Sequence, residues 1–150
     1  KSGVVLMVAA IMLVASVSAW TPFVVPNDSD MIEYMRDEDH NIYVLFFFNS
    51  AQDTPERLER MKNIVTLERN LIKTHVLEAF DNVMYSEIDL ATGKHDDVAH
   101  EIGIESQDTL EYPTVVAVQD GVGKWVHGPD AVQLLVPTIR ALVSRNQEAY

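Results

Sequence analysis

Seven consecutive apolar residues, Ile42 to Phe48, constrain the fold of this chain more than any other segment. They read IYVLFFF, are mostly aromatic or β-branched, and show no alternation with polar residues. A strand of that composition is typically covered on both faces, as in the centre of an α/β protein. With the patterns on either side, the predicted order is β-α-β-α-β-α-β-β-α, an α/β fold with a mixed central sheet flanked by helices.

The other predicted elements follow from periodicity and turn residues. Residues 23–25 form a short edge strand, and residues 27–29 cap a helix that buries Met31 or Ile32, Tyr34 and Met35. A long second helix buries Leu58, Met61, Val65, Leu71 and Ile72, and exposes Glu59, Arg60, Lys62 and Glu68. Residues 84–90 form a strand, residues 96–102 a short helix, and residues 105–111 a polar loop. Residues 114–127 form a hairpin with its turn at residues 120–123, and Asp130 caps a final helix.

Pro137 conflicts with the apolar pattern of that final helix. An interior proline costs about 3 kcal/mol and leaves a carbonyl without its donor. The helix is therefore expected either to kink at Pro137 or to consist of two pieces, and the irregular surface is a candidate contact site.

The first twenty residues stand apart from the rest. Residues 3–20, from Gly3 to Trp20, carry no charge, and as a helix they would rise about 27 Å, just short of a ~30 Å hydrocarbon core. Small residues for helix packing and Trp20 at the interface are consistent with a retained transmembrane anchor in contact with the lipid bilayer, which is the interpretation that we adopt. A signal peptide ending at Val17, Ser18 and Ala19 is the alternative.

We accordingly predict an N-terminal hydrophobic helix in residues 1–20 and one folded domain in residues 21–150. Lys1 before the apolar segment, and Asp28, Asp30 and Glu33 after it, place the acidic domain on the extracytoplasmic, luminal or intermembrane side of a single-pass membrane protein. The mitochondrial inner membrane and the endomembrane system are the two expected locations.

Composition excludes several classes of function. The chain has no cysteine, which removes disulfides, thiol nucleophiles and thiolate metal sites. Its 23 acidic residues exceed 11 basic ones, for a net charge of -12. Nucleic acid is not an expected partner, because binding to phosphates depends on lysine and arginine.

Two motifs give the chain a resemblance to a known family. Four residues separate Phe48 from the tetrad Asp53-Thr54-Pro55-Glu56, whose third member is proline. Further along the chain, Tyr112-Pro113-Thr114-Val115 leads into the glycine hairpin. This arrangement resembles the thioredoxin-like superfamily, over nearly all of residues 23–146. The resemblance implies that Pro113 follows a cis peptide bond, and that the tetrad occupies the position of the family's Cys-Gly-Pro-Cys.

The departure from the family lies in the tetrad itself. Thioredoxin chemistry needs a thiolate at a helix N-terminus and a second thiol, and this chain has neither. Asp53 and Glu56 instead match a capping box, with Pro55 tolerated in the first turn. Because a helix N-terminus keeps a carboxylate ionised, we interpret both as structural caps rather than an acid/base pair.

Other chemistry-bearing residues yield weaker hypotheses. His95, Asp96, Asp97, His100 and Glu101 are metal-capable, but a solvated helix start explains them better, and we predict no metal site. Trp125 is expected to pack against a neighbour.

The favoured hypothesis is a redox-inactive accessory or scaffolding subunit of a membrane protein complex, bound to other protein subunits. The alternative resembles non-catalytic protein disulfide isomerase domains: a secreted or luminal protein that holds unfolded clients near Pro113. An enzyme using Asp53, Glu56 or residues 95–101 is the weakest hypothesis. We predict no catalytic residue, no cofactor and no small-molecule substrate.

Overall fold

The computed structural model describes residues 27–148, with side chains to residue 145. The helices in it are α1 (Asp28–Arg36), α2 (Pro55–Ile72), α3 (Asp96–Ile102) and α4 (Ala131–Glu148), and the strands are β1 (Ile42–Phe48), β2 (Val83–Asp89), β3 (Thr114–Gln119) and β4 (Val122–His127). A π-helical turn, Lys73–Leu77, continues α2, and 3-10 turns span Leu90–Thr92 and Ser106–Thr109. The predicted order of elements from the first helix onward is confirmed.

The four strands make one mixed sheet in the order β2-β1-β3-β4. β1 pairs with β2 in parallel, and with β3 antiparallel; β3 and β4 form an antiparallel hairpin. The predicted mixed sheet with the apolar IYVLFFF strand inside it is therefore confirmed.

Each face of β1 supplies a separate hydrophobic core. Val44 and Phe46 point to the side covered by α2 and α4. Leu45 and Phe47 point to the side covered by α1 and α3. All four side chains are fully buried, which is why the strand lacks alternation, since burying each stabilises the fold by about 1.5–3 kcal/mol.

The hairpin turn is shorter than the sequence suggested. β3 continues to Gln119 and β4 already begins at Val122, so only Asp120 and Gly121 remain in the turn. Both have positive φ, 51° and 77°, the requirement of a two-residue type I′ turn, whose twist matches that of the strands. Gly123 consequently belongs to β4 and not to the turn.

The prediction that Glu68 lies on the exposed side of the second helix is wrong. The buried residues of α2 are Met61, Val65, Glu68 and Ile72. Their spacing of four, three and four residues is that of a single inward stripe, so helix geometry carries Glu68 into the core despite its charge.

Helix α4 is continuous through Pro137, which corrects the alternative of two separate helices. The ring faces solvent, and the hydroxyl of Thr138 donates to the carbonyl of Leu134 at 2.9 Å. Buried neighbours on the inward side, including Leu135 and Ile139, hold the helix together across the proline.

The predicted strand at residues 23–25 and the apolar residues 3–20 lie outside the described residues. Across residues 27–148, no helix combines the length and apolarity needed to cross a bilayer.

Candidate functional site

The tetrad follows β1 and spans the start of α2, as the sequence predicts, but the helix cap differs from the one predicted. Helix α2 begins at Pro55, and Thr54 is the N-cap, its hydroxyl accepting the backbone N–H of Arg57 at 3.2 Å. Asp53 lies one residue too early to cap and instead binds the Arg57 guanidinium at 3.2 Å. The expected capping box of Asp53 and Glu56 is therefore wrong, whereas the tolerance of Pro55 in the first turn is confirmed.

The loop that leads into the tetrad is held by hydrogen bonds from three other segments. The buried Asn49 amide donates to the hydroxyl of Ser106 at 2.9 Å. The Ser50 N–H donates to Asp89 at 3.1 Å, and the Gln52 amide to the Leu110 carbonyl at 3.1 Å. These bonds fix the tetrad against the end of β2 and the segment before Pro113.

Pro113 is buried beside this loop at the start of β3. Because residues 27–148 contain no cis peptide bond, the bond from Tyr112 to Pro113 is trans, and the expectation of a cis-proline is wrong here. The 3-10 turn Ser106–Thr109 and the bends after it already redirect the chain, and the trans form is favoured by about 0.5–1 kcal/mol.

Aromatic and basic side chains line the edge next to Pro113. The Arg60 guanidinium lies 4.9 Å from the centre of the Tyr112 ring, a cation–π contact. The rings of Tyr112 and His127 meet edge to face at 6.4 Å. His127 is oriented by Thr114, with 2.9 Å between its Nδ1 and the threonine hydroxyl.

A cavity of about 240 Å³ opens between α2 and this edge. It is lined by Gln52, Arg57, Arg60, Met61, Leu110 and Glu111. Leu110 is 46% exposed, so the cavity offers apolar contact beside two guanidinium groups.

The tetrad offers no group for thiol chemistry. The chain has no cysteine, and Asp53 and Glu56 are both exposed to water.

Solved structures were found that share this architecture. A cysteine-to-serine mutant of Entamoeba histolytica thioredoxin matches with a TM-score of 0.51 and 16% identity, over 81% of this chain and 99% of its own. Fasciola hepatica thioredoxin matches with a TM-score of 0.52 and 17% identity, over 79% and 97%. Reduced Schistosoma mansoni thioredoxin pre-protein gives 0.51 and 17%, over 78% and 97%. No protein-family model and no curated protein matches the chain.

The chain has a thioredoxin-like fold. At this level of identity the likeness establishes the architecture and not the activity. The Cys-x-x-Cys of redox-active thioredoxins is absent from this thioredoxin-like domain.

The metal-capable residue His95 of the thioredoxin-like domain takes part in a contact between two helices. Asp28, in the first turn of α1, binds His95 Nδ1 at 2.6 Å and accepts the N–H groups of Asp97 and Val98 at 3.0 and 3.2 Å. Within residues 27–145, no three histidine, aspartate or glutamate side chains are arranged to hold a metal ion. Asp28 thus joins α1 to the start of α3, a contact that the sequence analysis missed.

Glu68 of the thioredoxin-like domain is an ionisable group buried in the core. It is 3% exposed, and neither carboxyl oxygen has a hydrogen-bond partner. Burial raises its pKa from 4.5 to about 8, because the charged form loses its hydration. The sequence signal for this burial is the spacing of Glu68 from Val65 and Ile72, the buried residues on either side of it in α2.

A related cluster lies beside Glu68 on β2. Arg69 binds the carboxylate of Glu87 through two nitrogens at 2.6 and 2.7 Å, and the Tyr85 hydroxyl donates to Glu87 at 3.0 Å. The hydrogen bond from the Arg69 side chain to Glu87 raises the pKa of Arg69, and burial raises that of Tyr85. The cluster ties α2 to β2, away from the tetrad.

Trp125, which we expected to pack against a neighbour, is only partly covered and lines a cavity with Ile32 of α1 and Ile102 of α3. It is 55% exposed on β4, opposite Val116 in the register of the hairpin.

Proposed function

We propose that this thioredoxin-like domain is a redox-inactive, protein-binding module that acts as an accessory or scaffolding subunit of a membrane protein complex. The observation that carries the proposal is the state of the tetrad. Thr54 caps the helix, Asp53 is held by Arg57, and no sulfur is present. A domain that keeps the thioredoxin-like architecture without the thiols cannot carry out thiol redox chemistry. Binding of other proteins through its surface is the function that we propose for it.

The surface beside Pro113 supports a binding role. Its loop is fixed by Asn49, Ser50 and Gln52, so little conformational entropy is lost when a partner binds. Tyr112, Arg57 and Arg60 are of residue types that are enriched at protein interfaces.

The membrane part of the proposal rests on sequence alone. Residues 3–20 are uncharged and long enough to approach a full span, and the acidic domain would then lie on the luminal, extracytoplasmic or intermembrane side. The mitochondrial inner membrane and the endomembrane system remain the proposed locations.

Purification of the full chain in mild detergent tests this proposal. We expect the 16.9 kDa chain to migrate with stoichiometric partner subunits, and Leu110→Asp to release them without unfolding the domain. Leu67→Asp is the matched control, because Leu67 is 61% exposed on α2 and does not line the cavity beside Pro113. Migration of the wild-type chain without other proteins would contradict the proposal.

The exposed residues beside Pro113 also suit a second function, luminal binding of unfolded clients. This alternative requires removal of the apolar segment after Ala19. The N-terminal sequence of the mature protein separates the two, since a start at Trp20 supports the client-binding protein and an intact segment supports the anchored subunit.

A further inference from the structure

We infer that the cavity beside Pro113 receives an acidic side chain from the partner, which pairs with Arg57 and Arg60. The inference rests on the proposed protein-binding function and specifies the chemistry of what is bound. It begins from the charges in the cavity. Two guanidinium groups line it against one carboxylate, that of Glu111, in a chain of net charge -12.

Arg60 is free to accept an anion. Among residues 27–145 its guanidinium makes no ion pair, and its described contact is the face of the Tyr112 ring at 4.9 Å. An aromatic face orients a guanidinium without occupying its N–H donors, which lie in the plane of the group. The donors of Arg60 therefore remain available to a carboxylate from outside.

Arg57 is held only weakly by its present partner. Its bond to Asp53 is 3.2 Å long, and both side chains are about two-thirds exposed, conditions under which an ion pair contributes little. A partner that covers the cavity excludes water, and the pairing of a carboxylate with guanidinium groups becomes stronger there.

The rest of the cavity favours a side chain flanked by apolar residues. Leu110 is 46% exposed at one wall and Met61 is buried at its base. A volume of about 240 Å³ accommodates one side chain and not a whole domain. The matching partner feature is a short segment with a glutamate or aspartate between apolar residues.

Two peptides that differ in one group test this inference. The full chain in detergent micelles is titrated with acetyl-Ala-Leu-Glu-Leu-Ala-amide and with the same peptide carrying Gln in place of Glu, while the backbone NMR signals of Gln52 and Leu110 are followed. We expect the Glu peptide to bind at least about fivefold more tightly than the Gln peptide, with the preference reduced at high salt.

Variants assign that preference to the cavity. The double variant Arg57→Gln and Arg60→Gln is expected to bind both peptides equally, whereas Lys62→Gln, on the same helix but outside the cavity lining, keeps the preference. Equal binding of both peptides by the wild-type chain, or binding of neither, would overturn the inference. The proposal of a membrane-complex subunit is tested by a different experiment, since it is contradicted if the wild-type chain purifies without partners.

Discussion

Thr54 and Asp53 are adjacent at the start of α2, yet only Thr54 caps the helix. A shift of one position therefore decides which polar side chain is the cap. The sequence identified the tetrad and its proline, but placed the cap at Asp53. Because Thr54 has the extended backbone of an N-cap, with φ of -132°, its hydroxyl reaches the N–H of Arg57. Sequence alone did not separate two adjacent capping residues, since both side chains are good caps.

The two residues therefore differ in their expected contribution to stability. Thr54→Ala removes the N-cap and should lower the free energy of unfolding by about 1 kcal/mol. Asp53→Ala removes an exposed ion pair and should change it by no more than about 0.5 kcal/mol. Urea denaturation of the two variants checks this, and the reverse ranking would restore Asp53 as the cap.

Glu68 was predicted to lie on the exposed side of its helix because it is a charged residue. The carboxyl has a pKa of about 8 when buried and 4.5 ordinarily, so the folded state holds a proton that the unfolded state releases between these values. The contribution of Glu68 to the free energy of unfolding is therefore fully present below about pH 4.5, and it is lost as the pH rises toward 8. At pH 7 the free energy of unfolding is lower than at pH 4.5 by about 3 kcal/mol, from the free energy that corresponds to one pKa unit.

Glu68→Gln replaces the carboxyl with a neutral group of similar shape. We expect the variant and the wild-type chain to have similar stabilities at pH 4.5, and the variant to be more stable by about 3 kcal/mol at pH 7. Glu59→Gln, at an exposed position of the same helix, is the control and should show no such divergence. A difference between wild type and Glu68→Gln that does not change with pH would contradict the assigned cause.

At the scale of elements, the hydrophobic pattern predicted strands and helices well, whereas the exact geometry of turns was not predicted. The run from Ile42 to Phe48 predicted β1 with the observed bounds. The hairpin was predicted, but its turn was placed over four residues, because Gly123 resembles a turn glycine, although Asp120-Gly121 by itself favours a two-residue turn.

Pro137 gives an element-scale prediction. Pro137→Ala supplies the missing N–H at an exposed position within α4, and it should raise the free energy of unfolding by about 1–3 kcal/mol. Thermal unfolding of this variant beside Arg140→Ala, an exposed control on the same helix, measures the effect. A loss of stability in Pro137→Ala would indicate that the proline ring itself makes a stabilising contact.

At the scale of the whole molecule, the fold was predictable because the order of elements and the spacing of two motifs agree. The candidate site was predictable only in position. Its cavity brings Leu110 next to Gln52 and Arg60, although Leu110 lies fifty positions after Arg60 in the sequence and shares no motif with either residue. Nor did the sequence reveal that Asp28 links α1 to α3, since that contact joins residues almost seventy positions apart.

The central claim is that this thioredoxin-like domain acts by binding protein through the surface beside Pro113. Site-specific photo-crosslinking tests it most directly, with a benzophenone side chain introduced at Leu110 in one sample and at Leu67 in the other, in native membranes. Both positions are exposed leucines, and only Leu110 lines the cavity. We expect one discrete adduct from Leu110, containing the subunit that co-purifies with the chain, and none from Leu67; equal adducts from both positions, or none from Leu110, would contradict the claim.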